Sequence, residues 1–146
     1  MIKSAKLLYH IKFRFIFAYK EFALYIYMEE NQQLIQTIIE GIQEKKGKQI
    51  VTVDLSDINA ASVQYFIICQ GGSPAQVAAI ADSVRETTLN KIGVKPFNYD
   101  GYRNSQWIVI DYGYIYVHVF LPEPRKYYNL EELWNDAKLA EIPDVE

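Results

Sequence analysis

Residues 106–121 read Gln-Trp-Ile-Val-Ile-Asp-Tyr-Gly-Tyr-Ile-Tyr-Val-His-Val-Phe-Leu. Two runs rich in β-branched and aromatic residues, Gln106 to Asp111 and Tyr114 to Leu121, flank Asp111-Tyr112-Gly113, a tight connection that suits an antiparallel hairpin. Alternation puts Trp107, Val109 and Asp111 on one face of the first strand and Tyr116, His118 and Phe120 on one face of the second. If those faces coincide, they form an aromatic platform edged by acid. A helix laid over the platform would make it ordinary core; left open, it is a protein-binding surface, since Trp and Tyr dominate interface hot spots.

Upstream, Gly71-Gly72-Ser73-Pro74 ends one element and opens another. Ser73 fits an N-cap, Pro74 the first turn of a helix, and Gln76 completes a capping box. Val77, Ile80, Ala81, Val84 and Ile92 form that helix's apolar stripe, and Gly93 suits its stop. Before it, the continuous apolar run within Val63 to Gln70 predicts a central strand covered on both faces, while Gln49 to Leu55 alternates as a half-buried strand. Leu34, Ile35, Ile38, Ile39 and Ile42 follow helical spacing ahead of Gly47. Pro96 lies in an irregular segment with room for one more short strand, and beyond the hairpin Asn129 is expected to cap a last helix, with Glu131 and Glu132 in its first turn. The expected class is α/β (α+β): a mixed four- to five-stranded sheet flanked by helices, nucleotidyltransferase-like but without catalytic carboxylates. A doubly wound dinucleotide fold is disfavoured by the missing glycine fingerprint and strand-helix repeats.

A chain of 146 residues, half of them apolar and with twelve tyrosines and seven phenylalanines, supports one folded domain. Residues 1–27 read differently. They interleave aromatic and apolar residues with Lys3, Lys6, Lys12, Arg14 and Lys20 against the single acid Glu21, a formal charge of +4. The interruptions leave no apolar run of about 20 residues and no signal-peptide pattern. The favoured reading places a boundary near Met28 and the true start of translation there; an added surface helix and a membrane-surface anchor are the alternatives. The other 119 residues hold 10 basic and 17 acidic groups, a formal charge of -7. Such a body repels a phosphate backbone over any long contact, so if it visits a nucleoprotein particle it is expected to dock on a basic protein there; no sequence-specific nucleic acid and no membrane partner is expected.

Catalytic material is scarce. The Gly71–Ser73 turn could hold a phosphate at a helix N-terminus, but Gly and Ser also serve such turns for conformational reasons alone. Two-metal transfer needs carboxylates two positions apart on one strand face. Asp111 is followed at that spacing by Gly113, and Asp54 is flanked by Thr52 and Ser56. His118 is the only histidine after His10, and Cys69 lies inside the apolar run Tyr65-Phe66-Ile67-Ile68-Cys69, where an inert buried thiol is expected. No cofactor, metal or catalytic set is expected.

Several ordered motifs are similar to the ribosomal silencing factor (Iojap-like) family. They are Tyr65-Phe66-Ile67-Ile68-Cys69-Gln70-Gly71-Gly72-Ser73, Ala79-Ile80-Ala81-Asp82, Asp100-Gly101-Tyr102, Trp107 to Gly113, Val117 to Phe120, and Arg125 to Trp134. The resemblance covers about residues 30–137. It departs at Gln64, where the family often has Asp, at Tyr114, which replaces an acid, and at Pro74-Ala75-Gln76, which replaces a more polar stretch. The resemblance implies a cytoplasmic, non-catalytic α/β domain that binds large-subunit ribosomal protein fourteen, hinders subunit joining and lowers translation. Carried over by motif, Trp107 is the apolar anchor, Asp111 the partner for a basic side chain, and Tyr112, Tyr116, His118 and Phe120 the surrounding platform. A homo-oligomeric module, such as a homodimer off the ribosome, and a nucleotidyltransferase-like enzyme are the competing readings.

Overall fold

The computed structural model describes residues 2–146, and all of their side chains except those of residues 2–4, 9 and 13. In chain order the elements are α1 (Ile2–Glu44), β1 (Lys48–Asp54), β2 (Tyr65–Gln70), α2 (Pro74–Ile92), β3 (Asn98–Asp100), β4 (Trp107–Asp111), β5 (Ile115–Phe120), α3 (Pro122–Tyr128), α4 (Leu130–Leu133) and β6 (Lys138–Ile142). By its contacts the chain divides into Met1–Gln33 and Leu34–Glu146. In the first unit the helix exposes large apolar side chains, Phe15 and Tyr19 among them, on a stretch with no single apolar stripe. No described helix is long and apolar enough to cross a membrane.

In the second unit one mixed sheet runs in the order β3-β4-β5-β2-β1-β6. β2 and β5 are parallel, Tyr65 facing Ile115 and Gln70 facing Phe120, while the other four pairings are antiparallel. The apolar run of β2 explains its central place, because a strand with neighbours on both sides and cover on both faces has no polar face to show. The expected mixed sheet flanked by helices is therefore present, with six strands rather than four or five.

Helices α1 and α2 pack on one face. Ile38 and Ile42 of α1 and Val77, Ile80 and Val84 of α2 meet Ile67, Ile108, Ile110, Val117 and Val119, all fully buried. Burying each aliphatic side chain contributes about 1.5–3 kcal/mol before chain entropy is counted, so this layer dominates the fold's stability. The two helices approach closely at Gly41, where a Cβ would lie 2.9 Å from the Val84 Cα, and there the buried Ser83 hydroxyl donates to the Gly41 carbonyl at 2.7 Å. α2 begins as its sequence predicts. Ser73 Oγ accepts from the Gln76 N–H at 3.1 Å, Pro74 opens the first turn, and Gly93 closes the helix in the left-handed region at φ 67°. Gln76 Oε1 reaches one residue beyond the expected capping box and accepts from the Gly72 N–H at 2.7 Å.

Three expectations change. Helical structure begins at Ile2 rather than near Leu34. Asn129 stands at the N-cap position of the four-residue α4 but makes no side-chain capping bond: it sits in the left-handed region at φ 45° and ψ 59°, also closes α3, and forms the elbow between the two helices. Beyond α4 the chain returns as β6, which pairs with β1 from Ile50↔Ile142 to Asp54↔Lys138 and forms the sheet's outer edge.

Candidate functional site

The β4–β5 register sets Trp107 opposite Phe120, Val109 opposite His118, and Asp111 opposite Tyr116. Because side chains alternate, Ile108, Ile110, Val117 and Val119 turn toward the helices and these six residues turn away from them. The two strand faces coincide, as their sequence pattern implies. β2 extends the row with Phe66 and Ile68, and the residues packed behind it include Val53, Leu55 and Val63.

Aromatic rings fill this second face. Trp107 stacks on Phe120 with centroids 4.9 Å apart and planes at 20°. His118 lies edge-on to Phe66 at 4.9 Å and 89°, and Tyr116 lies 6.4 Å from Phe66. Such offset and edge-to-face pairs contribute about 0.5–1.5 kcal/mol each beyond the area they bury. The cover comes from the C-terminal segment: Tyr128 lies 4.8 Å from Trp107, and Trp134 lies 6.3 Å from Phe66. It is a partial cover. Trp107 and Tyr116 stay half-buried, while Tyr127 is 81% exposed, Tyr128 51% and Leu133 68%.

An internal ion pair holds that segment in place. Arg125 Nε and Nη2 donate to Glu131 Oε1 at 3.0 and 2.7 Å, and Nη1 donates to Gln70 Oε1 at 3.3 Å. These bonds tie the α3–α4 elbow to the end of β2, which fixes where Tyr128 meets Trp107. A groove of about 1200 Å³ beside the elbow includes Arg125 and Glu131 in its wall, but their mutual pairing satisfies the charge a ligand would need. On the other side of Trp107, Gly101 at φ 107° lets the Asp100–Tyr102 turn pass close to β4; a Cβ there would run into the Trp107 carbonyl oxygen.

The residues singled out in the sequence do not all share the face. Trp107, Tyr116, His118 and Phe120 come together, with Asp111 at the far end of β4, half-exposed, its Oδ1 accepting from the Gly113 N–H at 2.7 Å. Phe120 is only 1% exposed and serves as the floor under Trp107 rather than as outer platform. Tyr112 is a correction. It points to the helix side, where it is buried and its hydroxyl bonds with Thr88 Oγ1 at 2.8 Å. Burial pushes that phenol's pKa up. The sequence reading missed Phe66, Tyr128 and Trp134 as members of the aromatic row. Their aromatic character was the available signal, but only the fold of α3 and α4 brings the last two to this face.

Electrostatically the face is neutral at its centre. Burial pulls the His118 pKa down to about 4, so its imidazole is uncharged at neutral pH. Trp107 Nε1 donates to its Nδ1 at 3.1 Å, while Nε2 is buried with no partner among the described residues.

Elsewhere the chemistry is used up by structure. At the Gly71–Ser73 turn the Gly71 N–H donates to the Phe120 carbonyl, the Gly72 N–H to Gln76 and the Gln76 N–H to Ser73, so three backbone donors that could greet an anion are occupied. Asp54 ends β1 and Asp111 ends β4, with β2 and β5 between them. At sheet spacing those strands lie roughly 14 Å apart, far beyond the reach of a shared two-metal site. Among the described residues no cluster of three or more His, Cys, Asp or Glu could hold a metal. Cys69 is fully buried, and burial pushes its thiol up to about 12, where the nucleophilic thiolate is not populated at neutral pH.

Fold and site together define a small α/β domain with one helix-covered face and one aromatic, half-covered face. The family model described as "Ribosomal silencing factor during starvation" matches residues 28–146. The chain belongs to that family. It is 36% identical over 115 residues to Ribosomal silencing factor RsfS of Halalkalibacterium halodurans, covering 79% of this chain and 97% of the relative. It is 39% identical over 84 residues to the chloroplastic protein Iojap of Zea mays, covering 55% of this chain and 34% of that one. Among solved structures, a crystal structure of a protein from Chromobacterium violaceum superposes with a TM-score of 0.66 at 36% identity, covering 71% of this chain and 85% of that one.

Proposed function

We propose that this protein acts in the cytoplasm without catalysis, docking through its aromatic face onto protein fourteen of the large ribosomal subunit and so keeping the small subunit from joining. The docking unit is the span that matches the family, residues 28–146. The observation that carries the reading is the half-covered row from Trp107 to Tyr128 on the sheet face that α1 and α2 leave open. An aromatic anchor partly desolvated in the free protein loses little freedom when a partner completes its burial. The acidic body suits a basic ribosomal protein and steers the encounter.

A reassociation assay tests this directly. With purified small and large subunits, saturating protein should reduce the yield of joined ribosomes while free large subunits carry the protein through a gradient. Unchanged joining at saturation contradicts the proposal. Light scattering of the free protein separates ribosome docking from a face that pairs with its own copy.

A further inference from the structure

We infer that His118 is a positioning residue, which holds the Trp107 indole in the orientation that presents it for docking. The inference rests on the docking role proposed above for this face. Phe120 is Trp107's direct cross-strand partner, and His118 is the diagonal neighbour two residues before it on the same face. The imidazole is itself immobilised between Phe66, edge-on at 4.9 Å, and Phe120, whose plane lies at 15° to its own. From that fixed ring Nδ1 accepts the indole N–H at 3.1 Å. An acceptor at Nδ1 requires the proton to sit on Nε2, and Nε2 is buried with no partner among the described residues.

This arrangement has a cost that a phenylalanine would avoid. A buried donor left unpaired is destabilising, and a phenyl ring could keep the same edge and stacking contacts with no polar atom at all. What the histidine adds is one acceptor, and that acceptor is used by Trp107. The indole is thereby fixed at three points: Phe120 below, Tyr128 at 4.8 Å beside it, and His118 at its nitrogen. A half-exposed tryptophan held in this way needs no further ordering when a partner arrives.

The experiment uses the full chain with His118→Phe, His118→Leu and His118→Asn. Asparagine places its Oδ1 where Nδ1 stands, whereas phenylalanine and leucine fill the space without an acceptor. The chain has two tryptophans, so its two indole N–H signals are assigned by comparison with Trp134→Phe. The Trp107 signal should be protected from solvent exchange in the parent and in His118→Asn, and unprotected in His118→Phe and His118→Leu. Affinity for free large subunits should fall about threefold to tenfold in the variants lacking the acceptor, the worth of one hydrogen bond, although His118→Phe unfolds no more easily than the parent. Asparagine should recover affinity relative to leucine.

Parent-like affinity in His118→Phe or His118→Leu overturns the inference. So does an asparagine variant that restores the indole signal with no gain in affinity over leucine. A parent protein that shows no affinity for large subunits fails differently: it removes the docking role itself, and with it the purpose of holding Trp107.

Discussion

On one side of the sheet Ile67, Ile108, Ile110, Val117 and Val119 lie fully buried beneath α1 and α2; on the other, Trp107, Tyr116 and His118 share a row with Phe66 and Phe120 under a thin cover of Tyr128 and Trp134. Both faces come from the same strands, and alternation along β4 and β5 separates them. The aliphatic side is closed and its core is apolar, apart from the paired hydroxyls of Thr88 and Tyr112. The aromatic side keeps half-exposed rings, an unpaired nitrogen and a cover tied down by a single ion pair. One face is built for stability. The other leaves large, rigid aromatic area half-exposed.

Substitutions on the two faces should therefore have different consequences. Ile110→Ala on the helix side removes packing from a fully buried position and should destabilise the fold by about 3 kcal/mol in denaturant melts, while leaving affinity for large subunits unchanged wherever the protein remains folded. A loss below about 1 kcal/mol would mean that the helix-side core is looser than its burial indicates.

Acid should act on the aromatic side. His118 is neutral in the folded protein down to about pH 4 but titrates near 6.5 when unfolded, so between those values the unfolded chain binds the extra proton. Stability contributed by His118 is present above pH 6.5 and is lost as pH falls toward 4, on the order of 3 kcal/mol in all. The groups facing it, Trp107, Phe66, Phe120 and Tyr116, carry no charge in that range. Melts of the parent and His118→Phe across this window should diverge as the acid limit is approached; parallel curves would show that the imidazole is not buried.

Much of this division is legible in the sequence. The hairpin, the Ser73-to-Gly93 helix and the central strand each carry local signals: alternation, a cap and stop, or an uninterrupted apolar run. β6 carries none. Lys138-Leu139-Ala140-Glu141-Ile142 is an exposed edge whose partner β1 lies far away in sequence, so its strand character comes from pairing rather than from an apolar face. Asn129 followed by Glu132 looks like a cap and its acid, but the same asparagine also tolerates the left-handed backbone that the α3–α4 elbow adopts. Residues 2–33 show no stripe because apolar residues occur on every side of the helix, so periodicity could not reveal it. Within the candidate site, alternation identifies the face and, carried one residue past Asp111, sets Tyr112 with Ile108 and Ile110 on the opposite side, but it does not show that Phe120 becomes the floor or that Tyr128 and Trp134 arrive from downstream.

The most direct test is sedimentation of Trp107→Ala with free large ribosomal subunits, after melting curves have shown the variant to be folded. Loss of a central aromatic anchor should weaken binding by at least about 2 kcal/mol, roughly thirtyfold. Affinity within twofold of the parent would place the docking surface elsewhere and contradict the role assigned to this face.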